Sequence, residues 1–118
     1  MFALMAVEPA SSPPTGPATA VVFFDRAELS LLLSLYGRMV AAGHWRDYAI
    51  DGLKDAAVFS VFRRSSETPL YRIEKRPALA RRQGAWTVTA HGGLVVRRGH
   101  DLAQVLRVFD RARFAVVD

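Results

Sequence analysis

Ten basic side chains crowd one stretch of the chain: Lys54, Arg63, Arg64, Arg72, Lys75, Arg76, Arg81, Arg82, Arg97 and Arg98. Only Asp55, Glu67 and Glu74 oppose them there, a local balance of +7. The whole chain carries +5, so the residues outside this window sum to −2. Guanidinium groups are permanently charged and present forked donors that match phosphate and carboxylate oxygens. The chemistry on offer is therefore recognition of an acidic partner, nucleic acid or protein, through nine candidate contacts: every cation of the window except Lys54. Phe62 and Trp86 lie close by in sequence and are available for stacking on bases. Against this stands a plainer reading, a solvated strand face in which Arg72 or Arg97 pairs with an acid such as Glu74 on a neighbouring strand. No RNP sequence or helix-turn-helix pattern accompanies the arginines.

Other reactive residue types are present without the spacing that chemistry needs. His44, His91 and His100 lack the i, i+4 helical spacing or close pairing of a metal site, and turn or cap roles account for all three. His91-Gly92-Gly93 has the composition of an oxyanion-hole loop. A serine hydrolase also needs a G-x-S-x-G elbow, and none occurs, so a tight hairpin turn is the expectation. Asp47, Asp51 and Asp55 recur at intervals of four, but a strand ending at Gly52 would not hold them on one face for acid–base work. The sequence holds no cysteine, which removes disulfides, thiolate ligands and a thiol nucleophile. Neither a P-loop nor a G-x-G-x-x-G fingerprint is found. No catalytic, cofactor-binding or metal-ligating residue is assigned, no cofactor is expected, and the reading leans away from an enzyme.

The elements that must carry the basic residues follow from patterning. Asp25 and Glu28 make a capping box, with Phe24 and Leu29 at the staple positions, and Gly43 is placed to end the helix in a left-handed cap. A helix is thus predicted from Asp25 to about Ala42, preceded by a short strand at Val21–Phe24. Leu29, Leu32, Leu33, Tyr36 and Val40 form its apolar stripe. Leu31, Leu35 and Met39 widen that stripe beyond what one sheet covers, which predicts either a homodimer or burial under a second helix. That second helix starts at Asp101, with Gln104 as reciprocal partner and Leu102, Val105, Leu106 and Phe109 on its inner face.

Five strands are predicted in between: Asp47–Asp51, Ala57–Arg64, Leu70–Lys75, Trp86–Ala90 and Leu94–Arg98. Short connections favour antiparallel pairing. Period-2 alternation places Tyr71, Ile73, Trp86, Val88, Leu94 and Val96 toward the helices, and Arg72, Glu74, Thr87, Thr89, Val95 and Arg97 on the far side. The expected fold is α+β: an antiparallel sheet of about five strands with an N-terminal and a C-terminal helix on one face.

Composition bounds the rest. A chain of 118 residues with 51% hydrophobic content suits one domain that buries roughly two-thirds of its unfolded surface. Residues 8–20 hold four of the six prolines and no large apolar side chain, which predicts a disordered tail over 1–20 and a single domain over 21–118. No window approaches the roughly 20 apolar residues of a membrane span. The apolar start at Met1–Val7 has no basic residue before it, so no secretory leader is expected and the location read is cytoplasmic.

Leu35-Tyr36-Gly37-Arg38-Met39-Val40-Ala41-Ala42-Gly43 and Trp45-Arg46-Asp47-Tyr48-Ala49-Ile50-Asp51 resemble a small bacterial family defined only as a domain of unknown function. The likeness continues through Ala57–Arg64, through Pro69–Pro77, and from Gly99-His100-Asp101-Leu102 into the final helix. It covers most of the chain after Val21. It implies one compact domain and brings no activity, substrate or cofactor. The leading functional expectation is a non-enzymatic binding or regulatory module for an acidic partner. The alternative is an assembly subunit that uses the apolar surplus of Leu31, Leu35 and Met39.

Overall fold

The computed structural model describes residues 21–64 and 68–110; the expected tail over 1–20 lies outside them. The element order is α1 (Arg26–Ala41), β1 (Asp47–Gly52), β2 (Ala57–Phe62), β3 (Tyr71–Lys75), β4 (Trp86–Ala90), β5 (Leu94–Gly99) and α2 (Leu102–Leu106). Single 3-10 turns at Pro77–Leu79 and His91–Gly93 flank β4. The strands form one antiparallel sheet in sequence order, β1-β2-β3-β4-β5. The expected α+β class, with both helices on one face, is what the chain adopts.

Helix α1 begins where its capping box dictates. The Asp25 carboxylate accepts from the Glu28 amide and the Glu28 carboxylate accepts from the Asp25 amide, both at 2.8 Å. It ends at Ala42, followed by Gly43 at φ +84°. The predicted strand at Val21–Phe24 does not form. A single bond from the Val22 amide to the Leu53 carbonyl, 2.8 Å, ties this segment to the β1–β2 turn instead. At α2 the Asp101 carboxylate accepts from the Gln104 amide at 3.0 Å, so Asp101 is the cap as expected.

One cluster joins the layers. Leu32, Leu35 and Met39 of α1 and Leu102, Val105, Leu106 and Phe109 from the C-terminal side meet Ala57, Phe59, Val61, Ile73, Trp86 and Val88 of the sheet. Trp45 packs edge-on against Phe109, with ring centroids 5.1 Å apart, and closes the cluster at the end of α1. The buried stripe of α1 is thus centred on Leu32, Leu35 and Met39, while Leu33 and Val40 stay exposed. The proposed self-association set splits accordingly. Leu35 and Met39 are core residues, and Leu31, 42% exposed, lies in a shallow groove against Ala103 and Leu106 of α2.

The faces of the sheet follow the predicted alternation up to Val95 and then depart from it. Val88 pairs with Arg97 and Thr89 with Val95, leaving Val96 as an extra residue in a β-bulge. A bulge inverts the in–out order of everything after it. Arg97 therefore lies on the helix-bearing face, beside Gln104, Arg107 and Asp110, and Arg98 takes the outer position opposite Thr87. Trp86 is also removed from any stacking role: it is buried and lies parallel to Phe24, centroids 6.1 Å apart.

Candidate acidic-partner site at one end of the sheet

The sheet has two ends, and pairing decides which cations meet at each. Asp47 pairs with Phe62, so the start of β1 lies beside the end of β2. His44 and Arg46, which precede β1, therefore come next to Arg63 and Arg64, which follow β2. The Arg46 amide donates to the Phe62 carbonyl at 2.8 Å and locks the two segments together. The four cationic or titratable side chains line a cleft of about 480 Å³, with Trp45 and Val40 as apolar wall.

The cleft faces the last turn of α1, whose carbonyls carry partial negative charge. Three of those carbonyls already have backbone partners. The amides of Ala42, Gly43 and His44 bond to Arg38, Val40 and Met39 respectively, at 2.9 to 3.0 Å. The arginines are thus not needed to satisfy the carbonyls of Arg38, Met39 and Val40. Among the described residues neither Arg46, Arg63 nor Arg64 has an ion-pair partner, and no acid lines the cleft.

At the same end, one face over, β3 starts beside the end of β4. Arg72 stands opposite Thr89 on the outer face. With Thr68, His91 and the Gly92–Gly93 turn they line a second cleft of about 320 Å³.

The remaining predicted contacts go elsewhere. Lys75 is turned to the helix-bearing side, where its ammonium donates to the Glu28 carboxylate at 2.7 Å and to the Phe23 carbonyl at 2.9 Å. Arg76 bonds to Glu74 at 3.1 Å, and Arg72 approaches the same carboxylate at 3.9 Å. Arg81 and Arg82 project from the turn before β4, at the opposite end of the sheet. Arg97 faces α2. Of the nine predicted contacts, Arg63 and Arg64 share one cleft and Arg72 lines its neighbour; the others are dispersed.

His44 and Arg46 were not among the predicted contacts. Nothing in their local spacing marks them, since they sit 17 or more positions before Arg63 and join it only through the β1–β2 register. Among the described residues no group of three or more His, Asp or Glu side chains is placed to hold a metal ion. No helix among them is long and apolar enough to cross a membrane.

No curated protein and no solved structure matches the chain. A family described as "Protein of unknown function (DUF2794)" matches residues 22–106, from the segment before α1 to the end of α2. That span takes in the whole sheet and both clefts, and the chain belongs to this family.

Proposed function

We propose that the protein is a cytoplasmic, non-enzymatic binding or regulatory module of bacterial origin that engages an acidic partner through the end of its sheet. Residues 21–118 would form its single domain. The observation that carries this reading is the cleft lined by His44, Arg46, Arg63 and Arg64, where three arginines meet and, among the described residues, no acid joins the lining. Like charges held together cost free energy, and an anionic ligand relieves it. The partner recognised this way is a polyanion, nucleic acid or an acidic protein segment. The burial of Trp86 takes away one of the two expected stacking surfaces and leaves the other, Phe62, half-buried beside Arg63 in the chain.

Fluorescence titration with single-stranded and duplex oligonucleotides and with polyglutamate, at low and moderate salt, tests it. Binding should weaken by about 0.7 to 0.9 log units per log unit of salt for each nucleic-acid phosphate engaged. The Arg63→Gln/Arg64→Gln pair should weaken it about tenfold or more and flatten the slope, with little change in sequence preference. Absence of binding to every polyanion at low salt would end the reading.

A second reading, a homodimer or assembly subunit, draws on a different surface. Leu33 and Val40 on the flank of α1, Tyr48 and Ile50 on the edge strand β1, and Phe23 at 68% exposure all keep apolar area in solvent. Patches of this kind mark contacts. Light scattering on the wild type and on Ile50→Glu decides it: a dimer that dissociates in the variant supports the reading, and a wild-type monomer removes it.

A further inference from the structure

The second cleft differs from the first in kind. It is smaller, it carries one guanidinium rather than three, and its polar groups come from four separate places in the chain. Thr68 lies in the segment before β3, Arg72 on β3 and Thr89 on β4, and His91 opens the β4–β5 turn. Backbone pairing sets the spacing. Arg72 and Thr89 are direct cross-strand partners, and the His91 amide donates to the Leu70 carbonyl at 3.0 Å, which holds the turn against the start of β3. Thr68 Oγ1 lies 3.4 Å from His91 Nδ1, so the hydroxyl and the ring orient one another.

Gly92 and Gly93 both stand at φ +85°. A tight hairpin accepts Asn or Asp at the first such position almost as readily as Gly. Glycine at both positions leaves the backbone bare, and a Cβ at either would meet nothing within 4 Å. The mouth of the cleft is therefore open main chain, which lets a ligand approach the turn closely. Among the described residues the acid paired with Arg72 is Glu74, which makes its shorter bond to Arg76, 3.1 Å against 3.9 Å to Arg72. The Arg72 guanidinium is held only loosely by it.

We propose that this cleft binds a single phosphate group borne by a small ligand. A guanidinium, an imidazole and two hydroxyls outnumber the oxygens of one carboxylate and suit the three terminal oxygens of a phosphate monoester. A volume of about 320 Å³ sits at the small end of the ligand-pocket range and admits the phosphate with a small attached group. The proposal goes beyond the acidic-partner reading, which rests on the neighbouring cleft.

Titration of the ¹⁵N-labelled full chain with inorganic phosphate, at constant ionic strength, tests it. The Thr89, Gly92 and Gly93 amides should shift saturably, and phosphoserine and ribose 5-phosphate should show whether an attached group tightens binding over free phosphate. Arg72→Gln, at an exposed position, should weaken the titration about tenfold with the rest of the spectrum unchanged. Thr89→Val should weaken it less. Arg63→Gln/Arg64→Gln should leave it as in the wild type, which separates this site from polyanion binding. Shifts that grow linearly without saturation, an Arg72→Gln chain that titrates like the wild type, or equal affinity for acetate would each overturn the proposal.

Discussion

Glu28 serves two partners with one carboxylate oxygen: it accepts from the Asp25 amide at 2.8 Å and from the Lys75 ammonium at 2.7 Å. The first bond closes the N-terminus of α1, and the second ties that terminus to β3. Both side chains of the ion pair are about one-fifth exposed, so the pair is poorly screened by solvent. Lys75→Met should therefore lower stability by about 2 kcal/mol, the range of hydrogen bonds to charged groups, with polyanion binding unchanged. Asp25→Ala should cost about 1 kcal/mol through the lost cap. Glu28→Ala should exceed either, because it removes both interactions; urea denaturation of the three variants checks the order. Tyr36 adds a pH effect. Its phenol is held above the ordinary 10.0, first by partial burial and then by the charges of Asp47 and Tyr48. An acid that ionises later when folded than when unfolded leaves stability untouched below pH 10.0 and erodes it above. Tyr36→Phe should flatten the alkaline limb of a stability–pH curve, after allowance for its own offset at neutral pH.

The turn before β4 shows what an element demands of a single residue. Gly84 stands at φ +102°, and a Cβ there would lie 2.2 Å from the Gly99 carbonyl oxygen. The obstacle is backbone of β5, which cannot rotate away as a side chain would. Gly84→Ala combines this collision with left-handed strain, itself about 1 to 3 kcal/mol, and should lower the melting temperature by several degrees or prevent folding. Gly92→Ala offers the contrast. It meets only the φ penalty, since no atom lies within 4 Å, and should cost about 1 kcal/mol. Equal losses in the two variants, measured by thermal denaturation, would show that contact plays no part. The edge strands carry protection of their own. The Tyr48 amide is taken up by the Asp47 side chain at 2.8 Å, and β5 has its bulge and two arginines, devices that discourage strand-to-strand aggregation.

At the scale of the whole molecule, two helices cover one sheet face while Arg46, Arg63 and Arg64 meet at one sheet end. Leu31 is informative here because it sits in the α1–α2 groove without being buried. Leu31→Glu should cost no more than about 1 kcal/mol and leave the oligomeric state unchanged, in contrast to Ile50→Glu if β1 and the flank of α1 form a dimer surface. A large loss of stability in Leu31→Glu would mean that the groove is tighter in solution than its geometry shows.

Local rules sufficed for the parts of the fold that are local. The capping residues Asp25, Glu28 and Asp101, the left-handed Gly43, the Gly-Gly hairpin and all five strands are short-range chemistry, legible because each signal spans a few residues. The α+β architecture then followed from short connections and alternation. Tertiary structure decided everything that needed two distant segments at once. The β-bulge at Val96 is set by how β5 meets β4, and it alone turned Arg97 inward. Lys75 looked like one more surface cation until α1 brought Glu28 beside it. Residues Val21–Phe24 are apolar enough for a strand, yet they found one backbone partner at Leu53 and no ladder. The candidate site shows the same division. Arginine density announced an acidic partner, but only the Asp47–Phe62 register put His44 and Arg46 beside Arg63 and Arg64, because charge can be counted along a chain whereas its convergence depends on which strand ends become neighbours.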